Sequence, residues 1–349
     1  MDPSFIPYRR AAKYLKARLA NDDRESPEIG IICGSGLSGL SHSMTEHMSI
    51  KYGDIPGFPA QCSVPGHKGE LVFGNLSGDI PTVCLRGRFH SYEGHDMGTV
   101  ALPVRVMRCL GVKFLIVTNA AGGLDATYNV GDVVSIMDHF ALPMLAGKNP
   151  LIGPNDDELG PRFPPSSNTY DQKNQAVFLE AAVNLGFENF VRKDGLYCFV
   201  SGPMYESKAE CNFFSSINGS AVGMSTVPEI ITAHHCGMKV MCLSLITNKV
   251  IRKGDEGPAA SHEEVLEAVE KRAEQMQDLV KEIVNILRKN GTLSRMKELP
   301  PVDLDTKESG LFGINVSPLR TSMNAPIRYK VASAAIVAVV AVLVRRLKQ

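Results

Sequence analysis

The chain has 349 residues, and its 37 Lys and Arg balance its 37 Asp and Glu, so the net charge at neutral pH is zero. That length supports one large α/β core or two small ones, and the absence of any strongly basic stretch before the C-terminus argues against nucleic acid as a partner. The cysteines form no C-x-x-C pair and no His spacing for zinc; Cys33, Cys84, Cys109 and Cys242 sit in apolar runs and read as small buried hydrophobes of a reducing compartment. The N-terminus, Met1-Asp-Pro-Ser-Phe-Ile-Pro, carries no basic-then-apolar signal pattern.

Residues 8–19 place Ala12, Leu15 and Leu19 at helical spacing with Arg and Lys on the other side. Ile29–Cys33 reads as a buried strand running into Gly34-Ser-Gly-Leu-Ser-Gly39, formally the G-x-G-x-x-G fingerprint of dinucleotide sites. Asp54, about twenty residues on, would complete it, but it sits in Gly53-Asp-Ile-Pro-Gly, which is turn chemistry. The competing use of the same glycines is to bring backbone N–H groups and the Ser35 hydroxyl onto a free phosphate, and the downstream residues favour phosphate. Two short strands follow, residues 70–74 and Ile80–Arg86, preceded by a turn carrying His67. Then comes Gly87-Arg88-Phe-His90-Ser-Tyr92-Glu-Gly94, where Arg88, His90 and Tyr92 alternate. On an extended segment they would share one face, as oxyanion and hydroxyl recognition would use them.

Met97–Leu110 reads as an amphipathic helix, and residues 113–118 as a buried strand ending in Asn119-Ala-Ala-Gly-Gly123. Residues 132–138 read as another strand. Residues 140–168, rich in Pro and Gly, form a loop long enough to be functional or an interface element. After a helix over 170–186, two polar signatures sit in apolar surroundings: Ser201-Gly-Pro-Met-Tyr-Glu206 and Gly223-Met-Ser-Thr-Val-Pro-Glu229. Each follows an apolar run and precedes a helical pattern. That puts Glu206 and Ser225 at strand-to-helix turns, where a sheet presents ligand-binding groups. A carboxylate there can share a proton with a heterocycle, and a Ser before free helix N–H groups can hold an anion. Residues 227–236 read as a helix and 238–247 as a central strand ending at Thr247-Asn248-Lys249. Ser261-His-Glu-Glu264 caps a helix that runs to about Lys289.

These ordered motifs, together with Gly66-His67, resemble the trimeric purine nucleoside phosphorylases over about residues 8–289. The resemblance implies a mixed, partly barrel-like α/β sheet flanked by helices, a homotrimer, and reversible phosphorolysis of 6-oxopurine nucleosides such as inosine and guanosine. It implies phosphate contacts from Ser35, His67, Arg88, His90, Ser225 and the backbone at Ala120. Tyr92, Tyr205, Met224 and His262 resemble ribose contacts, and Glu206, Asn248, Val222 and Thr247 base contacts. Glu206, Asn248 and His90 would carry the catalysis, and Phe163 resembles a residue lent to a neighbouring subunit. Inorganic phosphate is the implied co-substrate, with no metal or organic cofactor. Tyr205 stands where many members have Phe. Methylthioadenosine phosphorylase is the near rival; a nicotinamide-dependent oxidoreductase and a non-catalytic purine-binding scaffold are rivals of other classes.

The resemblance does not cover the C-terminus. Residues 1–290 are expected to form the catalytic domain, 291–326 a polar, Pro-rich linker, and 327–349 a short hydrophobic helix with basic flanks. Residues 331–344 are Val, Ala, Ile and Leu apart from Ser333. As a helix they span about 21 Å at 1.5 Å per residue, short of a bilayer core of about 30 Å. Basic residues at both ends can lengthen the effective span by snorkelling. The segment is therefore a candidate tail anchor for a catalytic domain facing the cytoplasm, the alternative being an unanchored cytoplasmic enzyme.

Overall fold

In the computed structural model the residues described are 6–34, 38–60, 62–64, 67–255 and 261–305. The chain order is α1 (Ile6–Asn21), β1 (Ile29–Cys33), β2 (Thr45–Lys51), β3 (Glu70–Leu76), β4 (Ile80–Arg86), α2 (Met97–Leu110), β5 (Phe114–Gly123) and β6 (Val133–Ala141). Then follow α3 (Leu142–Leu145), α4 (Gln172–Leu185), β7 (Val191–Phe199), α5 (Lys208–Ser216), β8 (Ala221–Gly223), α6 (Val227–His235), β9 (Lys239–Lys249), α7 (His262–Lys289) and α8 (Thr292–Arg295).

The strands make one mixed sheet in the order β2-β3-β4-β1-β5-β8-β7-β6-β9. β9 pairs antiparallel with β6 and parallel with β5, so β5, β8, β7, β6 and β9 close into a barrel. β1, β4, β3 and β2 extend from β5 as an open arm. This is the mixed, partly barrel-like α/β fold expected. Full burial explains the largely apolar sequences of β1 and β4; in β4 the buried Thr82 hydroxyl donates to the Ile80 carbonyl and Arg86 pairs with Glu70. One apolar cluster joins α1, α2 and α6 to one side of the sheet; a second joins α4 and α7 to the other.

Helix ends follow local chemistry. Asp96 accepts from the Thr99 amide at 2.7 Å to start α2, and Ser207 and Glu210 form a capping box on α5. Ser261 caps α7 by accepting from the Glu264 amide, and that helix carries Glu263 and Glu264 in its first turn and Arg288 and Lys289 in its last.

The structure departs from expectation at three places. The strand expected over 113–118 continues through the small residues to Gly123, because Asn119–Gly123 still pair with β9. The edge strand β2 was not anticipated; all but two of its residues are exposed, and its pairing with β3 is irregular between Thr45 and Met48. Asp54, as its turn chemistry implied, lies in a 3-10 turn after β2 and not at the end of a parallel strand beside β1, whose parallel neighbours are β4 and β5. Residues 291–305, expected to open a linker, are packed instead. Leu293 and Val302 are buried, Arg108 donates to the Pro300 carbonyl at 2.6 Å, Lys113 pairs with Glu298, and Lys13 with Asp305. The compact unit accordingly runs through Asp305. Isolated anchors hold this segment without any period. The expected tail helix, 327–349, lies outside the described residues. Among the described residues no helix is long and apolar enough to cross a membrane.

Candidate active site

A cleft, open at its mouth, lies where several strands end. β1 delivers Gly34, β4 leads to Arg88, the last third of β5 supplies Asn119, Ala120, Ala121 and Gly122, and β9 ends in Thr247 and Asn248. Tyr205 and Glu206 come from the turn between β7 and α5, Met224 and Ser225 from that between β8 and α6, and His262 from the start of α7. Ligand sites at strand carboxyl ends are the general rule for such sheets.

Two glycines are dictated by close approach. A Cβ on Gly34 would stand 2.7 Å from the Thr118 carbonyl oxygen, and the Gly34 amide donates to Thr118 Oγ1 at 3.0 Å. A Cβ on Gly223 would stand 2.4 Å from the buried Tyr197 hydroxyl.

Arg88 is the fixed point of one end. Its Nη1 donates to Ser225 Oγ and to Thr226 Oγ1, both at 2.9 Å, and its Nη2 donates to the Thr118 carbonyl at 2.6 Å. Asn119 Nδ2 donates to Thr226 Oγ1 at 3.0 Å. Thr226 holds φ at +78°, a conformation costly for a β-branched residue. The Arg88 and Asn119 bonds hold it there, and the strained turn aims Ser225 into the cleft. Ser225 Oγ accepts from Arg88 and lies 3.1 Å from Thr226 Oγ1, so its hydroxyl can turn either to Thr226 or to an anion in the cleft.

His90 and Tyr92 also face the cleft, by a different geometry from the one expected. Residues 91–93 form a 3-10 turn, so the alternation of an extended strand does not apply. The two rings instead stack, with centroids 4.6 Å apart. Glu93, unassigned from sequence, holds this turn: it accepts from the His90 amide at 3.0 Å and from Ser63 Oγ at 2.6 Å, and its Oε1 lies 2.9 Å from His90 Nδ1. Burial raises the Glu93 carboxyl, but the bonds from His90 and Ser63 outweigh it and leave it at about 2. Burial lowers His90 despite that carboxylate, and it lowers His67 to about 4, helped by the nearby His90 and Arg88. Both imidazoles are therefore neutral at neutral pH.

His67 stacks behind His90 at 5.4 Å and does not line the cleft. Its Nδ1 lies 3.3 Å from both the amide nitrogen and the carbonyl oxygen of Arg88, and its Nε2 is buried without a partner among the described residues. Ser35 lies outside the described residues. Phe163 is 86% exposed and does not reach this chain's own cleft.

The other end of the cleft is less charged. Glu206 is half-buried, and burial raises its carboxyl above the ordinary value. Asn248 is nearly buried, and its Oδ1 accepts from Thr247 Oγ1 at 3.2 Å. The β5–β9 register shifts so that Gly122 faces Asn248 where alternation would put Thr247; this bulge re-aims the end of β9. Val222 closes the same wall. The small-residue run Asn119–Gly122 and Gly223 of the second polar signature line the cleft as well; Val64 and Val265 also line it and were not assigned to the site from sequence.

Residues 28–285 match the Phosphorylase superfamily. The purine nucleoside phosphorylase of Bos taurus is 44% identical over 277 residues, covering 79% of this chain and 93% of that one. The chain belongs to the purine nucleoside phosphorylase family. A solved Schistosoma mansoni purine nucleoside phosphorylase in complex with inosine aligns at a TM-score of 0.74 and 43% identity, covering 79% of this chain and 95% of that one. A purine nucleoside phosphorylase in complex with ribose-1-phosphate aligns at a TM-score of 0.69 and 41% identity, covering 80% and 95% of the two chains. Membership accounts for a cleft with a cationic, hydroxyl-rich end and a carboxylate–amide end.

Proposed function

We propose that this chain catalyses reversible phosphorolysis of 6-oxopurine nucleosides and deoxynucleosides, yielding free purine and (deoxy)ribose 1-phosphate, as a purine salvage transferase. The observation that carries the reading is the two-ended cleft: Arg88 with Ser225 at one end, Glu206 with Asn248 at the other. Breaking the N-glycosidic bond develops positive charge on the sugar and negative charge on the leaving purine. Phosphate attacks the anomeric carbon from the Arg88 end, held by Ser225, His90, Arg88 and the backbone at Ala120, with Ser35 completing this group and His67 backing the His90 ring. Tyr92, Tyr205, Met224 and His262 hold the ribose between the two ends. Glu206 accepts from purine N1–H, and the Asn248 amide answers O6 and N7, stabilising charge on the leaving base. Val222 and Thr247 wall the base. Neutral His90, with its Nδ1–H on Glu93, accepts at Nε2 from a protonated phosphate oxygen. Inorganic phosphate is the co-substrate, and the chemistry as drawn calls for no metal or organic cofactor.

A homotrimer belongs to the same reading. Phe163, exposed on this chain, would cover the sugar in a neighbour's cleft. The tail reading rests on sequence alone: residues 327–349 would anchor a cytoplasm-facing enzyme through a linker over 306–326. Carbonate washing of membranes separates anchored from unanchored protein, and full release to the supernatant removes the anchor. For activity, inosine, guanosine, adenosine and methylthioadenosine are each incubated with and without phosphate. The reading expects inosine and guanosine turnover only with phosphate; comparable efficiency on adenosine or methylthioadenosine contradicts it.

A further inference from the structure

Glu229 is a buried carboxylate with no role in the chemistry above. It lies in the first turn of α6 and is 1% exposed. Its Oε1 stands 3.4 Å from Arg88 Nε, an ion pair by distance. Neither carboxylate oxygen accepts a hydrogen bond among the described residues, and Arg88 Nε donates none. Arg88 lines the cleft and Glu229 does not, so the carboxylate approaches the guanidinium from the protein side.

The guanidinium plane is already fixed by Ser225, Thr226 and Thr118 through Nη1 and Nη2. Glu229 is thus not needed to orient it. What Glu229 adds is charge. A guanidinium 2% exposed requires a counter-ion when the cleft holds no anion. A carboxylate with both oxygens otherwise unpaired is a strong competitor for that charge. We propose that Glu229 is the resident counter-ion of Arg88 and sets how tightly the cleft holds phosphate. It keeps the empty site neutral and weakens the grip on the incoming phosphate and on the anionic sugar phosphate that must leave. The proposal rests on the phosphorolysis reading.

The test is inorganic phosphate binding to the ligand-free protein by calorimetry, with phosphorolysis kinetics alongside. Glu229→Gln keeps the shape and lets a carbonyl oxygen face Nε while removing the charge. Charges this close, out of water, couple strongly, so the dissociation constant for phosphate should fall about tenfold or more. The KM for inosine should stay unchanged and kcat should fall as the anionic product leaves more slowly. Glu229→Asp, which withdraws the charge by one methylene, should tighten phosphate by a smaller factor and keeps the test open if the Gln variant does not fold. Unchanged or weaker phosphate binding in the folded variants overturns the proposal. Failure of the wild-type chain to bind phosphate at all refutes the phosphorolysis reading instead, and the proposal with it.

Discussion

Asn248→Asp exchanges one amide NH₂ for a carboxylate oxygen in a nearly buried position at the end of β9. A 6-oxopurine presents an acceptor at O6, which the amide can meet with a donor. The Asp variant puts an acceptor opposite it. An unsatisfied buried acceptor costs about 1–3 kcal/mol, which corresponds to a loss of roughly 5- to 150-fold in kcat/KM for inosine. A 6-aminopurine gains an acceptor for its amino group at the same place. The inosine-to-adenosine ratio should therefore move toward adenosine by about tenfold at least. Thr247 Oγ1 already donates to the oxygen that is retained, so the side chain keeps its orientation. Initial rates on inosine and adenosine at saturating phosphate measure the ratio. An unchanged ratio in a folded variant would show that residue 248 does not read position 6 of the base.

Arg88→Ala should weaken phosphate saturation greatly while leaving free-base binding largely intact; unchanged phosphate saturation would remove the Arg88 end from the site. Burial raises the Glu206 carboxyl, so the ionised form that accepts from N1–H is lost on acidification at a higher pH than for an ordinary carboxylate. The acid limb of kcat/KM for inosine should lie correspondingly high and disappear in Glu206→Gln. His67 is held at about 4 and His90 is also lowered, from an ordinary value of 6.5. Between those values the unfolded chain binds more protons than the folded one, so stability should fall as pH drops from about 6.5 to about 4. Glu206 works in the opposite sense, whereas His139 and His235, also lowered by burial, and, toward pH 4, the depressed Glu93 work in the same one. Thermal melts in the Glu206→Gln background should fall over this range, with a smaller fall once His67 and His90 are replaced by Asn; an equal fall in both would contradict their burial as neutral imidazoles. Truncation after Asp305 should leave activity and melting temperature intact, whereas truncation after Asn290 removes buried Leu293 and Val302 and should lower the melting temperature markedly.

The sequence was most legible where burial is complete. β1 and β4 are buried along their whole length, and a strand covered on both faces needs a near-continuous apolar run. β2 escaped because most of its side chains face solvent, and β5 seemed to stop at Thr118 because small residues mimic a turn. Those residues are small so that the cleft can approach the backbone. The site was legible as motifs, and the cleft gathers Arg88, His90, Tyr92, Glu206, Ser225, Asn248 and His262. Alternation along a strand is not what unites Arg88, His90 and Tyr92, since a 3-10 turn held by Glu93 brings the rings together. Glu229 left no signal of its own: a Glu in a helix first turn is usually a solvated partner of the helix dipole. Residues 291–305 hid for another reason, because scattered ion pairs and single apolar anchors leave no periodicity.

The central claim is that phosphate, and not water, takes the sugar. ³¹P NMR of inosine with the enzyme and inorganic phosphate tests it directly. The account predicts one phosphate consumed per hypoxanthine released, with a sugar-phosphate resonance growing at the same rate and no base released when phosphate is left out. Hypoxanthine release without phosphate, or with phosphate unconsumed, would contradict it.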